Sequence, residues 1–294
     1  MDMSWLSKLC SALGLASRQA APEPAGALAS HERLAEGNRR AFERIGKLPE
    51  AEIVIEERRL AVQVTQILQS LKPLIREGVS GLELQEQVLQ QMHERQLLPA
   101  LVGFQGYPAA VPVSVNAQLI SCPPTDKPLP ASALVKVEIV VSSDKGYGAQ
   151  SWTFATAGAS AEQRRVLAGA RLALEQGLGQ VCAGTPVNAI GAAIQEVLDA
   201  QGLSAVAEYC GYAMGRQRIQ PPQVLGYRVD GPSEPMRVGQ VLNVQVLAKA
   251  GTSKIRVLCG GWRVLAQDGN DGVVLSAMVR VTEEGMERLS GLPD

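Results

Sequence analysis

The sequence predicts an α+β fold on a largely antiparallel sheet, and the order of its elements supplies the argument. Two stretches with helical spacing are followed by several strand-like runs, and the same order recurs in the second half of the 294 residues. Gly78-Val79-Ser80 and Gly184-Thr185-Pro186 stand at matching places in the two halves, each ahead of an amphipathic helix. Both halves fall in one domain over residues 30–294, preceded by a leader and linker over residues 1–29.

In the leader, Trp5, Leu6, Leu9, Cys10 and Leu13 share one helical face, with Ser4, Ser7 and Lys8 elsewhere. A docking helix for a partner or a membrane surface is one reading of this pattern, and a disordered leader is the other. It is a poor signal peptide, because Asp2 spoils the basic start and Lys8 interrupts a short apolar core. Ala20-Ala21-Pro22-Glu23-Pro24-Ala25-Gly26 reads as a linker. Helical patterning begins near Ser30 and runs through Ile53, Leu60, Val64, Ile67, Leu68 and Leu71 to a stop at Pro73.

Ser80 is placed to cap a second helix carrying Leu82, Leu84, Val88, Leu89 and Met92. Strand-like runs follow at residues 111–120, 134–141 and 151–154. In the second half, Ser160 is placed to cap a helix with Val166, Leu167, Ala170, Leu174 and Leu178. Another runs from Val187 to Ala200 and ends at Gly202. Strand-like runs return at 241–248, 255–258, 262–265 and 273–281.

Composition narrows the function. A net charge of −1 and scattered Lys and Arg argue against a nucleic-acid partner. Five cysteines, an odd number with no CxxC pair, fit a reduced, cytoplasmic protein. No stretch approaches the roughly 20 apolar residues of a membrane span. The two histidines, His31 and His93, lie in the N-terminal third, so none follows residue 100.

Several motifs in order carry a specific resemblance: Gly103-Phe104-Gln105-Gly106-Tyr107-Pro108, Val113-Ser114-Val115-Asn116 and Glu208-Tyr209-Cys210-Gly211. Ile190-Gly191-Ala192-Ala193-Ile194-Gln195, Pro222-Gln223-Val224-Leu225, Gly261-Trp262 and Val281-Thr282-Glu283-Glu284-Gly285 continue it. From about Glu52 to Leu289 the chain resembles the methionine aminopeptidases. The resemblance implies the pita-bread fold, two pseudo-symmetric α+β halves around a curved antiparallel sheet with a central cleft. It also implies peptide hydrolysis by a pair of metal ions.

Carried over position by position, the implied ligands are altered. The first aspartate falls on Glu138, the second on Ala149 and the metal-binding histidine on Tyr212. The two glutamates fall on Gln245 and Ser276, and two further histidines on Ser121 and Ile219. Hard divalent ions take several charged oxygens, and this set retains one carboxylate. A rebuilt site drawing on Cys122, Cys210 or Cys259 beside Glu138 is the alternative donor set. Serine nucleophiles lack a histidine partner in this half.

The aromatic pocket of the family is matched in type by Phe104, Tyr107 and Trp262, while Leu101, Pro112 and Arg218 depart from it. The same aromatics also suit a structural core. Phe104, Tyr107, Tyr212, Arg218 and Trp262 are therefore the candidate peptide-binding residues, with Arg218 as a cation at the rim. Arg216 is a second candidate for pairing with an acidic group.

The expectation from these residues is an inactive, aminopeptidase-like protein that binds a peptide or protein, with no catalytic residue, metal or cofactor. A functional metalloaminopeptidase with a rebuilt site is one alternative. A structural subunit or scaffold using its outer surface is another.

Overall fold

The computed structural model describes residues 25–258 and 260–293. The helical face expected around Trp5, together with Cys10 and Cys259, falls outside the described residues.

The first helix, α1 (Ala25–Ile45), starts ahead of the expected onset at Ser30 and carries Arg44 in its last turn. The helical pattern then breaks at a turn, and Pro49 precedes α2 (Glu50–Leu71) in an extended conformation. Glu50 and Glu52 in the first turn of α2 complement the positive end of its dipole. Ile53, Leu60, Val64, Ile67, Leu68 and Leu71 form its buried face, and a short 3-10 turn over Lys72–Leu74 ends it at Pro73.

Ser80 closes a reciprocal cap on α3 (Gly81–Glu94). Its hydroxyl accepts from Glu83 N at 3.2 Å, and its own N–H donates to Glu83 Oε2 at 2.7 Å. Ser160 and Gln163 repeat the device at the start of α4 (Ala161–Leu178). The last helix, α5 (Asn188–Ala200), is followed by Gly202 in the left-handed region.

Thirteen strands are found among the described residues. In the first half these are β1 (Leu98–Pro99), β2 (Val113–Val115), β3 (Gln118–Ile120), β4 (Leu134–Ser142) and β5 (Tyr147–Ala155). The second half contributes β6 (Ser204–Ala205), β7 (Gly211–Met214), β8 (Gln220–Val224), β9 (Val241–Lys249) and β10 (Ile255–Val257). It closes with β11 (Val264–Ala266), β12 (Gly272–Thr282) and β13 (Gly285–Arg288).

Every pairing among these strands is antiparallel. In the first sheet β4 pairs β5, β1 and β2. The second runs β13-β12-β9-β7-β8 with β6 also against β9, and a third runs β10-β11-β3. The α+β expectation with an antiparallel sheet holds.

Helices α2 and α3 bury Leu60, Leu68, Leu84 and Val88 with Val135, Val137 and Ile139 of β4. Helices α4 and α5 do the same with Ala170, Leu174, Ile190 and Ile194 against Val244, Val246 and Leu275. The two sheets meet along β5 and β12, where side chains rather than a ladder join them. Ser276 Oγ accepts from Ser151 N at 2.9 Å. Thr153 Oγ1 donates to Val274 O at 2.7 Å and accepts from Val274 N at 3.0 Å.

The strand-like run 111–120 is two strands, because Asn116 takes a left-handed conformation (φ 54°) and turns the chain. The short strands β7 and β8 escaped the sequence pattern. Pro221 and Pro222 lie in β8, an edge strand, where proline is tolerated because no inner ladder needs its missing N–H. No helix among the described residues is long and apolar enough to cross a membrane.

Candidate active-site cleft

Between the two sheets lies a cavity of about 240 Å³. Strands β4, β5, β7 and β9 supply Glu138, Ala149, Tyr212 and Gln245 to its wall. Ser276 on β12 stands opposite Gln245 in the β9–β12 register. The five positions that the resemblance assigns to ligands thus converge on one place.

The loop residues Leu101, Phe104, Tyr107, Pro112 and Trp262 close another side. Tyr107 meets Trp262 edge-to-face with centroids 5.0 Å apart, a favoured aromatic geometry. Tyr107 is 2% exposed and its hydroxyl has no partner among the described residues, which leaves a buried donor beside the cavity. Burial pushes its pKa up, assisted by the Glu138 carboxylate.

Glu138 is buried, and Ser121 N donates to its Oε1 at 2.6 Å. Ser121 itself sits in the left-handed region (φ 58°), which aims its N–H at the carboxylate. Burial raises the Glu138 pKa to about 7, against the lowering effects of Ser121 N–H and Lys136. Lys136, two residues earlier on β4, is wholly buried. Its Nζ donates to Asn116 O at 2.6 Å and Gly272 O at 3.0 Å, tying β4 to the start of β12. Burial pushes its pKa down to about 7.

The other positions offer little to a cation. Ala149 has no donor atom, and its N–H meets Met278 Sδ at 3.3 Å. Ser276 Oγ already accepts from Ser151 N. The Tyr212 hydroxyl lies where it acts electrostatically on the guanidinium of Arg218, itself a cation. Among the described residues no group of three or more His, Cys, Asp or Glu side chains is gathered to hold a metal. Of the cysteines among the described residues, Cys210 lines the cavity with Glu138. Cys122 points its thiol at Ile120 O and Val264 O rather than into the cavity, and burial raises the pKa of both Cys122 and Cys210.

Arg218 corrects one expectation. It lies in the wall, 8% exposed, rather than at a solvated rim. Arg216 is exposed and bonds Leu48 O at 3.3 Å, so it does not join the site. Asn243, which no sequence motif marks, lines the cavity with Oδ1 buried and unpartnered among the described residues. Its signal was available: it stands two residues before Gln245 on one strand, hence on the same face.

Gly211 fixes how closely β7 approaches β9. A Cβ there would lie 2.1 Å from Asn243 O, against backbone that cannot yield. Gly211→Ala should cost about 3 kcal/mol or more, at or above the upper end of the overpacking range. Urea unfolding checks it, and a loss under 1 kcal/mol, about the noise of surface changes, would show that β7 can shift.

The chain is 30% identical over 240 residues to methionine aminopeptidase of Salmonella typhimurium, covering 80% of this chain and 90% of that one. It is 27% identical over 237 residues to methionine aminopeptidase of Haemophilus influenzae, covering 80% and 88%. Among solved structures, methionine aminopeptidase from Rickettsia prowazekii superposes with a TM-score of 0.80 at 22% identity, covering 83% of this chain and 99% of that one. The Thermotoga maritima enzyme gives 0.79 at 22%, covering 83% and 98%. The pita-bread fold follows from these superpositions.

These relatives also correct the expectation of an inactive binding protein. Proteins named as methionine aminopeptidases match nearly their whole length here, which favours the alternative of a functional aminopeptidase. The model of metallopeptidase family M24 matches residues 57–283, well over half the chain, and the chain belongs to that family.

Proposed function

We propose that the chain acts on peptide amino termini as a functional aminopeptidase whose reacting centre is rebuilt around Glu138. The observation that carries this reading is the match to methionine aminopeptidases over about 90% of their length, with a cavity where their ligand positions converge. Phe104, Tyr107 and Trp262 hold the first side chain of the peptide, and Tyr212 and Arg218 close the wall. Oε1 of Glu138 is engaged by Ser121 N–H, which leaves Oε2 to take a proton or to receive an ammonium. Cys122, Cys182 and Cys210 are free thiols, in keeping with a cytoplasmic location as part of the same proposal.

The family implies divalent metal ions, and the residues present do not fit a pair of them. Of the two carboxylates lining the cavity, Glu138 is already bonded to a backbone N–H and Glu208 is exposed, a set too small to balance two hard cations. We draw no step through such ions.

The test is release of the first residue from a panel of amidated tripeptides by the purified full chain, with and without added Mn or Co, followed by mass spectrometry. Glu138→Gln should lower turnover at least about a hundredfold, the lower end of proton-transfer contributions. No release from any peptide under either condition overturns the reading. Trp262→Ala should raise KM roughly tenfold, since burying one large side chain supplies about 1.5–3 kcal/mol. Arg164→Ala, exposed on α4 and bonded to Ala157 O, should leave KM unchanged. Equal KM values for wild type and a folded Trp262→Ala would remove the aromatic pocket from the proposal.

A further inference from the structure

The cavity wall contains a guanidinium that makes no ion pair among the described residues. Arg218 is 8% exposed and its Cζ lies over the Phe104 ring, 4.0 Å from the centroid. The hydroxyls of Tyr212 and Tyr147 act on it electrostatically. Its Nε is buried without a hydrogen-bond partner among the described residues. Arginine stays protonated, and a buried charge lacking an anion is costly unless something supplies one.

The surroundings define the missing group. The guanidinium presents a planar fork, which matches a carboxylate through two parallel N–H···O bonds. Phe104, Tyr107 and Trp262 flank the approach and suit methylene groups. Glu138 lines the same cavity and is available for an ammonium. A residue with an amino group at one end and a carboxylate at the end of a short apolar side chain satisfies all three.

We infer that Arg218 sets specificity by pairing with the side-chain carboxylate of an amino-terminal glutamate or aspartate. This rests on the reading that the cavity receives a peptide amino terminus. An apolar first residue such as methionine leaves Arg218 buried and unpaired, and a glutamine isostere brings no charge.

The probes are Glu-Ala-Ala-amide, Gln-Ala-Ala-amide and Met-Ala-Ala-amide, with Gln-Ala-Ala as the free acid. Affinity is read by calorimetry on the full chain, or kcat/KM where turnover occurs. The glutamyl amide should be favoured at least tenfold over both other amides. Arg218→Met should bring the Glu/Gln ratio to about one, and Arg218→Lys should retain part of the preference. If Arg218→Met does not fold, the wild-type Glu/Gln comparison decides alone.

Equal handling of the glutamyl and glutaminyl amides, or preference for the methionyl amide, overturns this inference and leaves the aminopeptidase reading standing. A free-acid Gln-Ala-Ala that matches the glutamyl amide assigns Arg218 to a terminal carboxylate and also overturns it. No interaction with any of the four peptides removes the amino-terminal reading itself, and this inference with it.

Discussion

Replacing Glu57 by leucine is expected to stabilise the protein by roughly 3 kcal/mol near pH 7 and to flatten its dependence on pH. Glu57 lies in α2 with no exposed surface, and neither carboxylate oxygen has a partner among the described residues. Burial alone raises its pKa from 4.5 to about 8. Between these values the unfolded chain has released the proton while the folded chain retains it. Stability attached to this group is therefore complete below about pH 4.5 and is lost as pH rises towards 8. At about 1.4 kcal/mol per pH decade, the full loss is roughly 5 kcal/mol.

Leucine removes both the titration and the unpaired polar atoms from a cluster that holds Ile45, Ile53, Ala61 and Met278. Urea unfolding of both proteins at pH 5.5 and 8.5 decides the matter. The wild type should lose stability between the two pH values and the variant much less. Parallel behaviour would mean that water or a partner reaches the Glu57 carboxylate.

Glu57 also shows why part of the interior was not legible in the sequence. The apolar positions of α2 follow the helical period, so the helix and its core face were readable from Ile53, Leu60, Val64 and Leu71. Nothing in that pattern marks a glutamate on the buried side. Strand β4 poses the same problem in another form. Its valines and isoleucine announce a strand, and alternation would send Lys136 and Glu138 to a wetted face. The sheet is covered on both sides, so all nine residues of β4 are buried and both charges are internal.

Arg218 was assigned to a rim because arginine usually reaches solvent, and only packing against Phe104 reveals otherwise. The convergence of Phe104, Tyr107, Trp262 and Glu138 was anticipated from ordered motifs. Their contacts depend on loops whose paths no periodicity specifies. Activity is not legible at single ligand positions such as Ala149 and Ser276, whereas the match to methionine aminopeptidases spans 90% of their length.

Restoring the family's carboxylates, as Ala149→Asp with Gln245→Glu and Ser276→Glu, is expected to destabilise the metal-free protein by about 5 kcal/mol or more. The three positions are 1%, 8% and 0% exposed, and Glu138 already sits among them with its pKa raised to about 7 by burial. Each new carboxylate pays several kcal/mol of desolvation or takes up a proton, and like charges nearby add repulsion. Glutamate at position 276 also removes the hydroxyl that accepts from Ser151 N and helps join β5 to β12. The melting temperature should fall by roughly 10 °C or more, at about 2–4 °C per kcal/mol for a chain of this size class.

With Tyr212→His added, Mn or Co at a hundredfold excess over its Kd should recover about 2.7 kcal/mol, because the ion binds only the folded state. The same ions should leave the melting temperature of the unaltered protein unchanged, since its donor set does not suit them. A triple variant that melts within about 2 °C of wild type at neutral pH would show that water reaches these positions freely. An equal rise in melting temperature for the unaltered protein would show that Glu138 and its neighbours hold a divalent ion after all, and the rebuilt centre would then be a metal centre.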